Sequence, residues 1–269
     1  MSALLTTRTV EKPWGVDLLP EPFAKPQGKR IGEIWFEPPA ALDQLLVKYL
    51  FASENLSVQV HPDDAQALAA TGRSEGKEEC WLITACEPGA RIGIGFEKPL
   101  DAETLKSAAL DGSIEAKMAW FDVVPGDFFY LPANTVHAIG AGCSLIEIQQ
   151  NSDITYRLYD YGRPRELHLD AAIAVAKGEP HPAAFRRRVA ETGEVTLVEG
   201  PLFRLDRLDG PASPDVKARY KGAFLIIPVS GSATIEGETV GAGQCALVRD
   251  WSSLSIEGDA KILIAQPVL

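Results

Sequence analysis

The chain has 269 residues, and its 37 Asp and Glu against 26 Lys and Arg give a formal net charge of −11 at pH 7. No basic run is longer than Arg186 to Arg188, which argues against nucleic acid or an anionic membrane surface as a partner. Any anionic substrate would need basic side chains or a metal ion concentrated at its site, against the overall field of the protein.

The start of the chain and its cysteines favour a cytoplasmic protein. Residues 1–15 show no charged segment followed by a long apolar stretch, and nowhere does the sequence approach 18 consecutive apolar residues. We therefore expect neither export nor insertion into a membrane. The four cysteines lie far apart without a CxxC pair, so free buried thiols are expected rather than a disulfide scaffold or a cysteine zinc site.

Short β-branched and aromatic runs, bounded by Gly, Pro, Asn and Asp, recur along the chain and predict a mainly β fold, as an antiparallel sandwich or barrel. They fall at residues 45–51, 56–60, 80–84, 128–131, 144–149, 224–229 and 245–248. Helical patterns are few and short, at residues 63–70, 101–110 and 167–176. The sequence has no Walker or GxGxxG loop, which argues against a nucleotide-binding fold.

The sequence also predicts two domains. Residues 178–200 are rich in Pro, Arg and Glu and have weak apolar periodicity, so we interpret them as a connection. Residues 1–177 form the first domain, which has a small helical insertion and contains the unusual histidines described next. Residues 201–269 contain no histidine and several glycine-punctuated strands, which predicts a second, metal-free β-sandwich.

Two of the four histidines, His61 and His137, lie among polar residues that predict a metal site. Side chains alternate along a strand, so Gln59 and His61 are expected to share one face, as are Lys77 and Glu79. Converging nitrogen and oxygen donors would suit zinc or a similar divalent ion. The spacing alone leaves other interpretations open: hydrogen-bonded core histidines, a solvated Glu79, and a Gln59 that pairs with backbone.

A longer pattern is more specific. Residues 125–137, with Gly126, Pro132 and His137, resemble the second cupin motif, in which a Gly and a Pro bracket a strand that precedes a His. Five further blocks follow the order seen in type I mannose-6-phosphate isomerases: KPWG (12–15), GEIW (32–35), SVQVHPDD (57–64), GKEECW (76–81) and IEIQQNSDITYRLYD (146–160). The chain thus resembles a short bacterial member of that family. The resemblance implies two cupin-like jelly-roll β-sandwich domains with a few short helices.

The resemblance also implies a reaction and a set of site residues. The reaction is the zinc-dependent interconversion of mannose 6-phosphate and fructose 6-phosphate by proton transfer through a cis-enediolate. The implied ligands of one Zn²⁺ per chain are Gln59, His61, Glu79 and His137. The implied catalytic residues are Arg157, Glu147, Lys77 and Lys48. The implied substrate-binding residues are Ser57, Lys48, Lys77, Arg157, Trp14 and Glu33.

Roles within this set are expected to differ. Arg157 keeps its proton at neutral pH, so it is expected to stabilise the enediolate or the phosphate. Glu147 is the candidate acid or base. Lys48 and Lys77 supply the local positive charge that an anionic substrate needs, either to bind it or to assist proton transfer, and Ser57 would donate a hydrogen bond to the phosphate.

Two rival functions remain. The first is a cupin that binds or senses a sugar phosphate without turnover. The second is an iron-dependent cupin oxygenase, which commonly has a histidine-rich site, whereas only two histidines occur in this cluster. The sequence does not indicate an oligomeric state.

Overall fold

The computed structural model describes residues 2–24, 28–189 and 192–268. Residues 1 and 25–27 of the predicted first domain, 190 and 191 of the predicted connection, and 269 of the predicted second domain lie outside the described residues. No helix within the described ranges has the length and apolar character needed to cross a membrane.

The first part of the chain holds most of the helices. Its elements are β1 (Ala3–Leu4), β2 (Thr7–Val16), β3 (Ile31–Phe36), β4 (Leu45–Phe51), β5 (Val58–Val60), α1 (Asp64–Thr71), β6 (Glu79–Cys86), β7 (Arg91–Phe96), α2 (Ala102–Asp111), α3 (Ile114–Lys117), β8 (Met118–Asp122), β9 (Asp127–Leu131), β10 (His137–Ile139), β11 (Cys143–Gln150), β12 (Tyr156–Tyr159) and α4 (Leu169–Val175).

The second part is almost entirely β. A 3₁₀ turn, Ala183–Phe185, precedes it and another, Trp251–Ser253, lies within it. Its elements are β13 (Arg186–Arg188), β14 (Val195–Glu199), β15 (Phe203–Asp209), α5 (Pro214–Arg219), β16 (Phe224–Ser230), β17 (Ser232–Ile235), β18 (Glu238–Gly241), β19 (Ala246–Val248), β20 (Leu254–Ile256) and β21 (Lys261–Pro267).

These strands form four sheets whose named pairings are all antiparallel, so the predicted mainly β class is confirmed. The strand orders are β12-β5-β10-β7-β8, β13-β9-β6-β11-β4-β3-β2, β1-β19-β16-β21-β15-β14 and β18-β17-β20. Apolar side chains of neighbouring sheets form a shared core between each successive pair, which stacks the four sheets as layers in that order. Helices α2 and α4 pack on the outer face of the five-stranded sheet.

Strand β4 explains how a lysine lies in an apolar run. All seven of its residues are buried, because the strand is central in a sheet that is covered on both faces. Val47, Tyr49 and Phe51 belong to the core shared with the six-stranded sheet, and Leu50 belongs to the core on the opposite side. By alternation, Lys48 shares the face of Leu50 and lies in the interior of the first sandwich.

Two of the three predicted helices begin where their capping residues indicate. Asp63 accepts a hydrogen bond from the backbone N–H of Gln66, whose side chain in turn accepts one from the backbone of Asp63, which completes a capping box at α1. At α2, the Asp101 side chain accepts a hydrogen bond from the backbone N–H of Thr104 at 2.8 Å. Each of these two helices ends at a glycine with positive φ, as expected of a left-handed cap.

The division into two domains stays a prediction. Several strand pairings join segments on opposite sides of the proposed boundaries. Strand β1 pairs with β19, so the first strand extends the sheet of the second half. Within the proposed connection, β13 pairs with β9 of the seven-stranded sheet, and β14 pairs with β15 of the six-stranded sheet. The segment 178–200 therefore contributes an edge strand to each of the two central sheets.

Candidate active site

Among the described residues, His61, Glu79 and His137 form a cluster of side chains that could hold a metal ion. Their ligand atoms all lie within 4.8 Å of one another, and all three residues are buried. Glu79 Oε1 lies 3.3 Å from His137 Nε2 and 3.8 Å from His61 Nε2. Glu79 and His137 are the first residues of β6 and β10, and His61 directly follows β5, so strand ends of both sheets bring the donors together.

Both imidazoles are held in the form that binds a cation. Burial, with the added positive charge of Lys77, lowers the pKa of His61 well below its usual value and that of His137 to about 3. The Nδ1 atom of His61 lies 2.7 Å from the carbonyl oxygen of Ile154, and that of His137 lies 2.9 Å from the carbonyl oxygen of Thr135. A neutral ring that donates from Nδ1 presents the lone pair of Nε2 to the cluster.

Glu79 shows that this donor set fits a cation. Its Oε1 is buried and accepts no hydrogen bond from any described residue, although a buried carboxylate oxygen normally has a partner. Burial raises the pKa of Glu79 to about 7, partly offset by Lys77, whose Nζ lies 2.6 Å from Oε2. A divalent cation bound at Oε1 would favour the ionised carboxylate. Two imidazoles and one carboxylate are suitable donors for a divalent metal ion.

Gln59, the fourth predicted ligand, lies next to the cluster with its nitrogen inward. Its Nε2 lies 3.2 Å from His137 Nε2, and its Oε1 accepts a hydrogen bond from the Ser57 hydroxyl at 3.1 Å. Gln59 and His137 are direct partners between β5 and β10, so the amide is well placed. Coordination by its oxygen requires the amide to turn by 180°, which exchanges the two atoms.

A turn before β10 positions both histidines. Asn134 adopts a positive φ of 73°, a conformation that Asn tolerates better than most residues. Its backbone N–H donates to the carbonyl oxygen of His61 at 2.8 Å, and its side chain donates to Gln66 Oε1 at 2.6 Å. Asn134 thus connects the turn that leads to His137 with the end of β5.

Two buried lysines and a second buried carboxylate lie beside the metal-binding cluster. Glu147 Oε1 lies 3.1 Å from Lys48 Nζ and 3.6 Å from Lys77 Nζ, and its Oε2 accepts a hydrogen bond from Trp81 Nε1 at 3.0 Å. Lys77 also lies 3.2 Å from His61 Nε2, so it joins the two groups. The floor of the site therefore alternates ammonium and carboxylate groups with little solvent access.

The pKa values of the two lysines shift in opposite directions. Burial lowers the pKa of Lys48, and Glu147 offsets this only in part. Burial also favours neutral Lys77, but Glu147 and Glu79 together outweigh it and raise its pKa. Burial alone would raise the pKa of Glu147, whereas Lys77 and Lys48 hold it at about 2. Glu147 is therefore ionised at neutral pH, and Lys48 is the easier lysine to deprotonate.

A cleft of about 420 Å³ opens onto this floor. Six basic side chains line it: Arg8, Lys12, Lys48, Lys77, Arg157 and Arg165. Three acidic side chains line it: Glu33, Glu147 and Asp153. The cleft is thus locally positive in a chain of net charge −11, which is the concentration of charge that an anionic substrate requires.

The other predicted site residues all line this cleft. Ser57 lies on the wall next to Gln59, and Trp14 is buried in the core behind the cleft. Glu33 accepts a hydrogen bond from Trp35 Nε1 at 2.6 Å and pairs with Lys12. Arg157 lies on the opposite wall, where its Nε donates to the carbonyl oxygen of Glu166 at 2.9 Å.

Sequence reasoning missed several lining residues. Trp35 is the most informative, because its ring lies 4.3 Å from Lys48 Nζ and 4.1 Å from the guanidinium carbon of Arg8. Alternation along β3 puts Trp35 on the face of Glu33, a signal that was available from the sequence. The cleft side chains that were not predicted are Arg8, Val10, Lys12, Trp35, Leu50, Leu56, Ile139, Asp153, Thr155, Arg165 and His168.

Comparison with characterised proteins identifies close relatives of the chain. No protein-family model matches it. The mannose-6-phosphate isomerase of Streptococcus mutans is 37% identical over 226 residues, which are 80% of this chain and 69% of that protein. The mannose-6-phosphate isomerase ManA of Bacillus subtilis is 38% identical over 203 residues, which are 72% of this chain and 62% of that protein, slightly less than two thirds.

Solved structures extend the likeness over almost the whole chain. A crystal structure of the mannose 6-phosphate isomerase from Bacillus subtilis matches with a TM-score of 0.76 at 25% identity and covers 98% of each chain. A phosphomannose isomerase from Salmonella typhimurium matches with a TM-score of 0.75 at 16% identity, which supports the fold alone. The resemblance predicted from the ordered motifs is confirmed, and the chain belongs to the mannose-6-phosphate isomerase family.

Proposed function

We propose that this chain is a zinc-dependent isomerase that interconverts mannose 6-phosphate and fructose 6-phosphate, in the cytoplasm and with one Zn²⁺ per chain. The observation that carries the proposal is the buried His61–Glu79–His137 cluster beside Lys48 and Lys77, in a positively charged cleft of a family member. The proposed partner is a small sugar phosphate.

The metal centre would be held by His61, Glu79, His137 and, with its amide turned, Gln59. Bound there, zinc would supply Lewis-acid polarisation of substrate oxygens. Lys77, which contacts both Glu79 and His61, orients these two ligands and adds a fixed positive charge next to the reacting carbons.

A proton must move between C1 and C2 of the open sugar through a cis-enediolate. Lys48 is the better candidate for this transfer, because burial lowers its pKa and a neutral amine can accept a proton. Glu147 is a poorer one, since its carboxylate is held ionised by two lysines and Trp81. Its proposed role is to anchor the lysines. Arg157, on the facing wall, would stabilise the enediolate or the phosphate.

One observation favours a second candidate. Two histidines and one carboxylate also form the facial set of non-haem iron oxygenases. Two buried lysines next to that set fit an anionic substrate better than oxygen activation, and the relatives are isomerases by name. Oxygen consumption in the presence of Fe²⁺ would support this alternative.

The test is formation of fructose 6-phosphate from mannose 6-phosphate by the purified protein, before chelation, after chelation and after zinc is added back. The variant Glu79→Gln should be inactive, and Glu75→Gln, an exposed carboxylate of the same segment, should keep full activity. Binding of the sugar phosphate without conversion in zinc-loaded, folded protein would contradict the proposal and favour the binding or sensing function.

A further inference from the structure

A row of directly opposed residues crosses the seven-stranded sheet from its edge to the floor of the cleft. The row consists of Arg8, Trp35, Lys48, Glu147 and Trp81 on five successive strands. Adjacent strands are about 4.8 Å apart, and β2 is the strand of this row that lies farthest from β6, which carries Glu79. Arg8, on β2, is therefore the residue of the row that is farthest from the metal-binding cluster. Lys12 extends from the same edge strand as Arg8 and lines the same end of the cleft.

The cations at the two ends of the cleft differ in how firmly they are paired. Lys48 and Lys77 face carboxylates that are themselves buried, so their charges are already balanced within the protein. Arg8 pairs through its Nε with Glu37, and both side chains are about half exposed. Exposed pairs of this kind contribute about 0–1 kcal/mol, so a dianion can take the place of Glu37 at little cost.

Lys12 is held towards the cleft by its neighbours. Gly32 lies directly against its aliphatic part: a Cβ at position 32 would come within 2.6 Å of Lys12 Cγ and 2.7 Å of Trp14 Cζ3. The ammonium lies 3.2 Å from Glu33 Oε1, and Glu33 Oε2 is held by Trp35. An ammonium carries three N–H donors, so the ion pair with Glu33 leaves this group able to donate to a ligand as well.

We propose that Arg8 and Lys12 bind the phosphate of the substrate. This inference rests on the proposed isomerase function, in which C1 and C2 react beside the metal-binding cluster and the phosphate on C6 occupies the opposite end of the carbon chain. Strands β11, β4 and β3 separate β2 from β6, so these two cations lie at the correct end of the cleft. Arginine forks and lysine ammonium groups are the usual donors to phosphate oxygens.

The experiment compares Arg8→Met, Lys12→Met and the double variant with Lys29→Met. Lys29 is a matched control, because it pairs with Glu11 on the same edge strand but does not line the cleft. KM for mannose 6-phosphate should rise about tenfold or more in each cleft variant, as expected for the loss of a charge-assisted hydrogen bond, and kcat should change much less. Lys12→Arg should recover most of the affinity.

Binding of inorganic phosphate, measured by calorimetry, separates this inference from the proposed function. If the unaltered chain isomerises nothing, weaker phosphate binding in the double variant than in Lys29→Met still supports the subsite. Unchanged KM and unchanged phosphate affinity in the double variant would overturn it. A rise in KM confined to Arg165→Met would also overturn it, because the phosphate would then lie on the opposite wall.

Discussion

Lys48 and Glu147 are direct cross-strand partners, and their Nζ and Oε1 atoms lie 3.1 Å apart at the buried floor of the cleft. Both side chains are about 95% inaccessible to solvent. Neither residue could be ionised there at low cost without the other, because an unpaired charge in the interior is strongly unfavourable. The pair therefore connects the chemistry of the site to the stability of the fold.

Glu147→Gln should destabilise the protein by about 3–5 kcal/mol, because the substitution leaves Lys48 without its carboxylate partner and leaves Lys77 with Glu79 as its remaining carboxylate partner. Urea unfolding at pH 7 measures the change. Glu11→Gln removes one partner of an exposed pair with Lys29 and should cost less than about 1 kcal/mol. Equal effects of the two substitutions would show that the buried carboxylate does not hold the lysines.

The metal-binding cluster predicts one zinc ion per chain, which elemental analysis of zinc-loaded protein would count. Glu79→Gln and His137→Ala should each lose this zinc, because each removes one of three converging donors. His168→Ala removes a histidine that lines the cleft but is outside the cluster, and it should keep the metal.

Zinc at 100 times its dissociation constant should stabilise the unaltered protein by about 2.7 kcal/mol.

Chelator-treated protein should lose stability as the pH falls from 7 to 5. The pKa of His137 is lowered to about 3 in the folded state, and an unfolded histidine titrates at about 6.5. Between these two pKa values, His137 takes up a proton in the unfolded state but not in the folded state. The free energy of unfolding therefore falls as the pH drops from about 6.5 towards 3. The expected loss is about 2 kcal/mol for this histidine between pH 7 and 5.

Urea titrations at the two pH values check this dependence, with His137→Asn as the comparison. Asn cannot titrate, so the variant should show a shallower pH dependence by the amount that His137 contributes. An equally steep dependence in both proteins would assign the effect to other groups.

Gly32→Ala should raise KM for mannose 6-phosphate and destabilise the fold by about 1–3 kcal/mol, because the added methyl group must displace Lys12 and Trp14. Gly258→Ala is the matched control: a Cβ there meets nothing within 4 Å, and its φ lies outside the positive range. A Gly32→Ala protein with normal KM would show that Lys12 does not need its present position.

Local sequence signals predicted much of this structure. The run 45–51 is a strand with the predicted limits, and the two aspartate caps mark the starts of α1 and α2. Alternation also explains the inward face of Gln59, because Val58 and Val60 on the other face pack with the helices. These features depend on neighbouring residues alone, which is why the sequence contains them.

Features that depend on strand pairing were harder to predict. The contact of Glu147 with Lys48 joins residues 99 positions apart, and its hydrogen bond from Trp81 spans 66. Register between distant strands is determined by the packing of whole sheets and not by local propensity. For the same reason the Arg8–Trp35–Lys48 row was missed, although Trp35 lies in the GEIW block and Lys48 in the predicted strand 45–51.

The seven-stranded sheet has a core on both faces, and this limits how the protein can be divided. Its β4 contributes Val47, Tyr49 and Phe51 to one core and Lys48 to the cleft on the other side. A fragment that ended before β14 would expose that apolar face to water, where it would favour aggregation. A shortened version of this enzyme therefore needs the histidine-free half to cover the apolar face of the seven-stranded sheet. If the half with the histidine cluster were used alone, polar residues would have to replace the apolar residues of that face.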